Sequence, residues 1–227
     1  MDNTEELDRY LCPTWFIDSD DPHVKAYAVQ VTKGCTNDEA RAVKCFYAVR
    51  DGIRYDPYSI TSEPLDYRAS VTLDRRVAYC IPKAVLLTAL ARAVGIPARL
   101  GFADVRNHLA SKKLLAQLGS DLFIFHGFTE LWLAGRWVKA TPAFNIELCR
   151  RFGVRPLEFD GRHDSLFHEY SVDGQRNMEY VGSRGTFADL PLKEILTAFQ
   201  KEYGDSYLGR RSERARDELF DAPETLV

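Results

Sequence analysis

The 227-residue sequence lacks the features that carry a chain into or across a membrane. It contains no run of about 18 uncharged apolar residues, so we predict no transmembrane helix. Its first residues, MDNTEELDRYLCP, are acidic and polar, and they have neither the basic nor the apolar part of a secretory signal. We therefore expect a cytoplasmic protein with no membrane partner.

Cysteine is present, but it lacks the spacing of a metal or disulfide framework. The five cysteines lie at positions 12, 35, 45, 80 and 149, and no CxxC occurs. This excludes a zinc ribbon and a thioredoxin motif. The odd number and wide spacing predict reduced thiols, one of which is then available as a nucleophile.

An excess of positive charge is also missing. The chain has 30 Lys and Arg against 33 Asp and Glu, a net charge of −3, so we expect no nucleic-acid partner. A hydrophobic fraction of 45% with 12% aromatic residues is sufficient for a packed core and excludes disorder. Without repeats or linkers, the sequence predicts a single domain over 1–227, with a core at about 22–190 and a helical C-terminal tail at about 190–227.

Apolar periodicity predicts α-helices over 22–33, 37–51 and 190–203. The T-N-D-E sequence that starts at Thr36 is a capping box, with Glu39 at the third helical position. Residues 53–79 show no sustained period, and we predict an extended connection there.

Residues 80–94, CIPKAVLLTALARAV, are apolar on nearly every face, which is typical of a buried helix. Pro82 fits a first helical turn, and Gly95 and Pro97 end the helix. The helix is therefore expected to begin close to Cys80.

The second half of the sequence predicts an antiparallel sheet. Strands are expected over 98–105, 122–133, 136–143 and within 154–181, with a short helix from Ser111 to Gly119. Helices followed by antiparallel strands predict an α+β fold. If residues 134–135 form a two-residue loop, Thr141 lies opposite Phe128, one diagonal step from His126 on the same face.

The position of Cys80 favours a chemical function. A helix N-terminus stabilises a thiolate, so we expect a lowered thiol pKa, and its unpaired N–H groups can receive an oxyanion. The alternatives are structural, because a buried cysteine is often a small core residue and a lone histidine on a strand usually has a structural role.

Two sequence segments resemble the transglutaminase-like superfamily. They are A-Y-C-I-P-K-A-V-L-L-T-A-L-A-R-A-V-G-I-P-A-R-L and H-G-F-T-E-L-W-L-A-G-R-W-V-K-A-T-P, within about residues 40–143. The resemblance implies a papain-like α+β fold and a Cys-His-Asp triad, with Cys80 as the nucleophile and His126 as the base. It implies acyl transfer from glutamine side chains, peptide or amide hydrolysis, or deglycosylation of glycopeptides.

The third position departs from the family pattern, because Thr141 stands where the resemblance places the aspartate. Three interpretations remain open. Thr141 acts as a weak orienting residue, since its hydroxyl can accept a hydrogen bond from the imidazole. Alternatively, Asn145, Asp104 or Asp160 replaces it, or the site is degenerate.

The sequence thus predicts an enzyme that performs acyl transfer or amide or peptide hydrolysis through a Cys80 thioester, with His126 as base. The expected substrate is a peptide, a protein or a small amide. The alternative is a catalytically weak or inactive transglutaminase-like module that binds peptides or proteins. We expect no cofactor and no metal, since a zinc site of Cys80, His126 and His108 has no local ligand pair, and no acidic loop for calcium occurs.

Overall fold

The computed structural model describes residues 7–108, 110–167 and 178–207. The described α-helices are α1 (Pro22–Val31), α2 (Asp38–Gly52), α3 (Ala69–Arg75), α4 (Cys80–Ala93), α5 (Lys112–Leu118), α6 (Ile146–Phe152) and α7 (Leu192–Tyr203). The strands are β1 (Arg54–Tyr55), β2 (Val77–Ala78), β3 (Ala98–Asn107), β4 (Leu122–Leu133), β5 (Arg136–Ala140) and β6 (Met178–Phe187). Two short 3-10 helices cover Pro64–Tyr67 and Gly204–Tyr207.

Strands β3 to β6 form one antiparallel sheet in the order β5-β4-β3-β6, and β1 and β2 form a separate parallel pair. Helices precede this sheet, so the predicted α+β class is confirmed. The β4–β5 hairpin pairs Leu133 with Arg136 and Thr129 with Ala140. The predicted register is therefore correct, and Thr141 follows directly after the end of β5.

Helix α4 is the centre of the core, and all its residues from Cys80 to Arg92 are buried. One side packs on the sheet, where the hydroxyl of Thr129 on β4 donates to the carbonyl of Ala84 over 3.0 Å. Helices α1, α2 and α3 also pack against α4. A helix that is apolar on nearly every face needs this cover on all sides, which explains why the preceding helices pack around it.

The first turn of α4 is tied to α2 by a buried lysine. The ammonium of Lys83 donates to the carbonyl oxygens of Arg50 and Ile53, over 2.9 and 2.5 Å, where α2 ends. A cation near a helix C-terminus offsets the partial negative charge of the unpaired carbonyls. Burial lowers the pKa of Lys83 to about 7.

A buried arginine fixes the other end of α4. The guanidinium of Arg92 donates to the carbonyls of Ala98, Cys12 and Ala188 over 3.0, 2.7 and 2.6 Å. These bonds connect the end of α4 to the start of β3, to the N-terminal segment and to the residue after β6. The arginine inside the A-R-A-V-G-I-P-A-R motif thus holds three chain segments together.

Several local predictions differ from the structure. The carboxamide of Asn37, not Thr36, caps α2 by accepting from the N–H of Ala40. The region 53–79 is not simply extended, because it contains β1, β2, α3 and a 3-10 helix. These elements are too short for a periodic signal, and they form through packing against the core.

The C-terminal half also departs from the prediction in places. Strand β5 ends at Ala140 rather than at 143, and helix α6 was not predicted. Within the described part of 154–181, β6 is the strand found, together with an isolated bridge between Ala140 and Ser165. Helix α7 confirms the amphipathic helix at 190–203, and the predicted tail beyond 207 lies outside the described residues.

All five cysteines are free thiols. Among the described residues, no helix is long and apolar enough to cross a membrane.

Candidate active site

Cys80 is the first residue of α4, and it is only 8% exposed. The backbone N–H groups of Gly127, Ile81 and Cys80 itself face the thiol and act to lower its pKa. Burial outweighs them and raises the pKa of Cys80 to about 11. The expectation of a net lowered thiol pKa was therefore wrong, because the helix terminus is desolvated together with the sulfur.

Glycine at position 127 allows β4 to approach the start of α4 closely. A Cβ built on Gly127 would lie 3.1 Å from the Cα of Ile81, which is tighter than nine in ten real Cβ contacts. Because Gly127 has no side chain, β4 can bring the N–H group of this residue to the sulfur of Cys80. The helix and the strand together therefore supply N–H groups around one atom.

His126 precedes this glycine on β4, and its side chain is 6% exposed. Burial lowers the pKa of His126 to about 3, so the imidazole is neutral at physiological pH. A neutral imidazole keeps one unprotonated nitrogen and can accept a proton. The ring of Phe167 lies against it, with ring centroids 4.8 Å apart.

A β-bulge immediately before His126 sets its position. Ala103 pairs with His126 and Val105 pairs with Phe123, so two residues of β4 lie opposite Asp104. One of them, Phe125, has φ of 54°, a left-handed conformation that is unusual for a large side chain. The bulge could not be predicted from the sequence, because neither of the two residues in it is a glycine.

Thr141 lies at the predicted triad position and is fully buried. Its N–H donates to the carbonyl of Ser165 over 3.0 Å. The side-chain contact of its hydroxyl is with the hydroxyl of Tyr180, and the Nε2 atom of His126 has no hydrogen-bond partner among the described residues. The structure therefore does not join the two side chains by a direct hydrogen bond.

The other predicted orienting residues have different partners. The side-chain oxygen of Asn145 accepts from the N–H of Tyr55 over 3.1 Å. The carboxylate of Asp160 pairs with His163 at 2.7 Å, on the surface. Asp104 accepts from the backbone in the bulge. None of these contacts is with the imidazole of the site.

His108 lies at the end of β3 and faces Glu179 at 3.5 Å. It does not line the cavity that contains Cys80 and His126. Within the part of the chain that the structure describes, no cluster of three or more His, Cys, Asp or Glu side chains is arranged to hold a metal ion.

Cys80 and His126 line one common cavity of about 450 Å³, part of which is open to solvent. Next to them in its wall are three consecutive residues near the start of β4, Phe123, Ile124 and Phe125. Further walls come from α5, α7 and the connection after β1. These walls could not be predicted from the sequence, because the residues that form them come from segments that are far apart along the chain.

A buried thiol at the start of a central helix and an imidazole on the adjoining antiparallel strand, both in the wall of one cavity, define an α+β protein of the papain-like class. Residues 25–142, more than half of the chain, match the Transglutaminase-like superfamily, and the chain belongs to that family. The predicted family and fold are thus confirmed. A search of curated protein sequences gave no match.

Two solved structures are similar to the chain. One is a candidate cysteine protease from Cytophaga hutchinsonii, with 22% identity and a TM-score of 0.48, over 63% of this chain and 43% of that one. The other is a candidate protease from Parabacteroides distasonis ATCC 8503, with 18% identity and a TM-score of 0.39, over 60% of this chain and 25% of that one. The chain thus covers less than half the length of either protein.

Proposed function

We propose that the chain is a cysteine-dependent enzyme that cleaves an amide or peptide bond through a thioester on Cys80. Water then hydrolyses the thioester, or an amine takes the acyl group. The observation that carries the proposal is the common cavity of Cys80 and His126, which gives one substrate access to both groups. Membership of the family supports the assignment of the nucleophile and the base.

The chemical steps follow from the protonation states. Cys80 is a neutral thiol and His126 a neutral imidazole at rest, because burial disfavours both charged forms. The thiol proton therefore passes to the imidazole as the sulfur attacks the carbonyl carbon. Backbone N–H groups at the start of α4 receive the oxygen that becomes negative.

The tetrahedral intermediate collapses when the C–N bond breaks. The imidazolium of His126 returns its proton to the leaving nitrogen, so the amine departs neutral, and the acyl group remains on Cys80. In the second half, water or an amine loses a proton to the imidazole while it attacks the thioester. The imidazolium then returns this proton to the sulfur as the thioester bond breaks, which restores the free enzyme.

The test combines activity with detection of the intermediate. Cys80→Ala should abolish release of the fluorophore from an acyl-7-amino-4-methylcoumarin amide, and Cys12→Ala is the control, since that cysteine is exposed and away from the cavity. Mass spectrometry of quenched wild-type protein should find the acyl group on Cys80. Turnover in Cys80→Ala at the wild-type rate would refute the proposal.

Product analysis with hydroxylamine in the assay separates the two acceptors. A hydroxamate shows that hydroxylamine intercepts the thioester, and the ratio of hydroxamate to free acid measures how well an amine nucleophile competes with water.

A second function has a specific observation in its favour. Because Thr141 replaces the family's aspartate and has no hydrogen bond to the imidazole, the alternative is a weak or inactive module that binds peptides or proteins in the same cavity. Such a module would bind amides with equal affinity in wild type and Cys80→Ala and would form no acyl-enzyme.

A further inference from the structure

Among the described residues, those that line the cavity beside Cys80 carry no charged side chain. Apart from the thiol and the imidazole, all eleven lining residues are aromatic, aliphatic or proline. The outer walls include Ile60 from the connection after β1, Leu114 and Leu118 from α5, and Phe199 from α7. Leu114, Leu118 and Phe199 are themselves buried, so these walls are packed parts of the fold.

The polar atoms of the tyrosines in this wall are largely used within the protein. The hydroxyl of Tyr203 donates to the carbonyl of Leu122 over 2.9 Å and accepts from the N–H of Ile124 over 2.8 Å. The hydroxyl of Tyr79 bonds to that of Tyr67 over 3.0 Å. Burial raises the pKa of Tyr79 well above its usual value, so this phenol stays neutral. The lining residues that the structure describes thus offer no counter-ion to a charged ligand.

We propose that the acyl group carried by Cys80 is uncharged and apolar, a short alkyl chain or a single aromatic ring. This inference rests on the proposed function. The thioester holds the acyl group on the sulfur, so that group must occupy the cavity in whose wall the sulfur lies. The leaving amine and the incoming nucleophile, in contrast, need the side that opens to solvent.

The physical reason is the cost of removing charge from water. A carboxylate or an ammonium group transferred into this cavity would lose its hydration without gaining a partner. An alkyl or phenyl group of the same length gains free energy by leaving water. An apolar wall therefore selects against charge more strongly than it selects between apolar shapes.

The experiment compares amides of 7-amino-4-methylcoumarin that differ only at the end of a five-carbon acyl chain. They are the pentanoyl, glutaryl and 5-aminopentanoyl amides, and acetyl serves as the short reference. We expect kcat/KM for pentanoyl to exceed that for glutaryl and for 5-aminopentanoyl by about 100-fold. Equal values for the three five-carbon amides would overturn the inference and leave the proposed function intact.

A charge placed in the wall should change the preference. In Leu118→Lys we expect the ratio of pentanoyl to glutaryl turnover to fall at least about tenfold, because the ammonium gives the carboxylate a partner. Ala116→Lys is the matched control, since it adds the same charge to the exposed face of the same helix. An unchanged ratio in Leu118→Lys, with Ala116→Lys also unchanged, would show that this cavity does not hold the acyl group.

A binding measurement keeps the inference independent of catalysis and of the fold of the Leu118 variant. Calorimetric titration of Cys80→Ala with pentanamide and with glutaramate should give affinity for the uncharged amide only. If wild type forms no acyl-enzyme but this preference is present, the proposed function fails and the apolar site remains. Equal binding of the two amides overturns the site itself.

Discussion

The carboxylate of Asp104 accepts a hydrogen bond from the backbone N–H of Phe125 at 3.1 Å, at the bulge that precedes His126. Arg184 on β6 holds the same carboxylate at 2.7 Å, and its guanidinium lies 4.9 Å from the centre of the Phe125 ring. A left-handed backbone at a bulky residue costs about 1–3 kcal/mol and persists only where its surroundings enforce it. Asp104 and Arg184 are those surroundings.

Asp104 is therefore predicted to position His126 through the backbone. In Asp104→Ala we expect kcat for amide cleavage to fall about tenfold with little change in KM, because the bulge relaxes and the imidazole shifts. Asp104→Asn keeps the side-chain oxygen that accepts from Phe125, so it should recover most of the rate. The assays are run well below the melting temperature of each variant. Unchanged kcat in Asp104→Ala would limit the residue to a role in stability.

The substitution at the triad position leads to a second prediction. Thr141→Asp should raise kcat/KM, because a carboxylate can accept the imidazole N–H and stabilise the charged ring. An orienting aspartate contributes about 10⁴ in a serine protease triad, but a buried charge costs desolvation, so we expect about tenfold here.

Thr141→Val removes the hydroxyl with almost no change in shape and is the matched control. We expect it to lower kcat/KM if the Thr141 hydroxyl orients the imidazole during the reaction. If Thr141→Val has the kcat/KM of wild type and Thr141→Asp gives no increase in kcat/KM, another group orients His126 and Thr141 is a packing residue.

The parts of the fold that could be predicted are those whose signal is local. Helix α4 is apolar on nearly every face, and both strands of the β4–β5 hairpin and their Ala134–Gly135 turn lie within one short segment of sequence. The positions of Cys80 and His126 followed from these elements and from the motif around each. Short elements between 53 and 79 were missed because tertiary contacts, not periodicity, stabilise them.

The environment of the site could not be predicted, because it depends on contacts between distant segments. Phe199 and Leu114 reach the cavity from helices that are far from Cys80 in sequence. The thiol pKa likewise depends on a competition between helix N–H groups and burial, and only the packed structure shows that burial prevails. Asp104 was one of three alternatives to Thr141 as the partner of the imidazole, but it contacts the strand backbone.

The reactivity of Cys80 should follow from its raised thiol pKa. With a pKa of about 11, the thiolate fraction increases with pH throughout the range from 7 to 10. The rate of Cys80 alkylation by iodoacetamide should then rise about tenfold for each pH unit in that range. Peptide mapping by mass spectrometry gives the rate at each cysteine, with exposed Cys12 as the internal reference for the reagent. A rate that is constant from pH 6 to 8 would instead indicate a resting thiolate–imidazolium pair.

The lowered pKa of His126 makes the stability of the fold sensitive to acid. The folded protein binds a proton to this residue only near pH 3, whereas the unfolded chain does so near the usual value of 6.5. Between these values the unfolded state holds more protons on this residue, so its contribution lowers the free energy of unfolding as the pH falls from about 6.5 towards 3. One group contributes up to about 1.4 kcal/mol per pH unit.

His126→Phe, which fills a similar space without a titratable group, should lose correspondingly less stability between pH 6 and 4 in urea unfolding. The comparison is made between slopes, so a constant difference in stability from the substitution itself does not affect it. Parallel curves for wild type and His126→Phe over that range would show that the imidazole is not held neutral by burial.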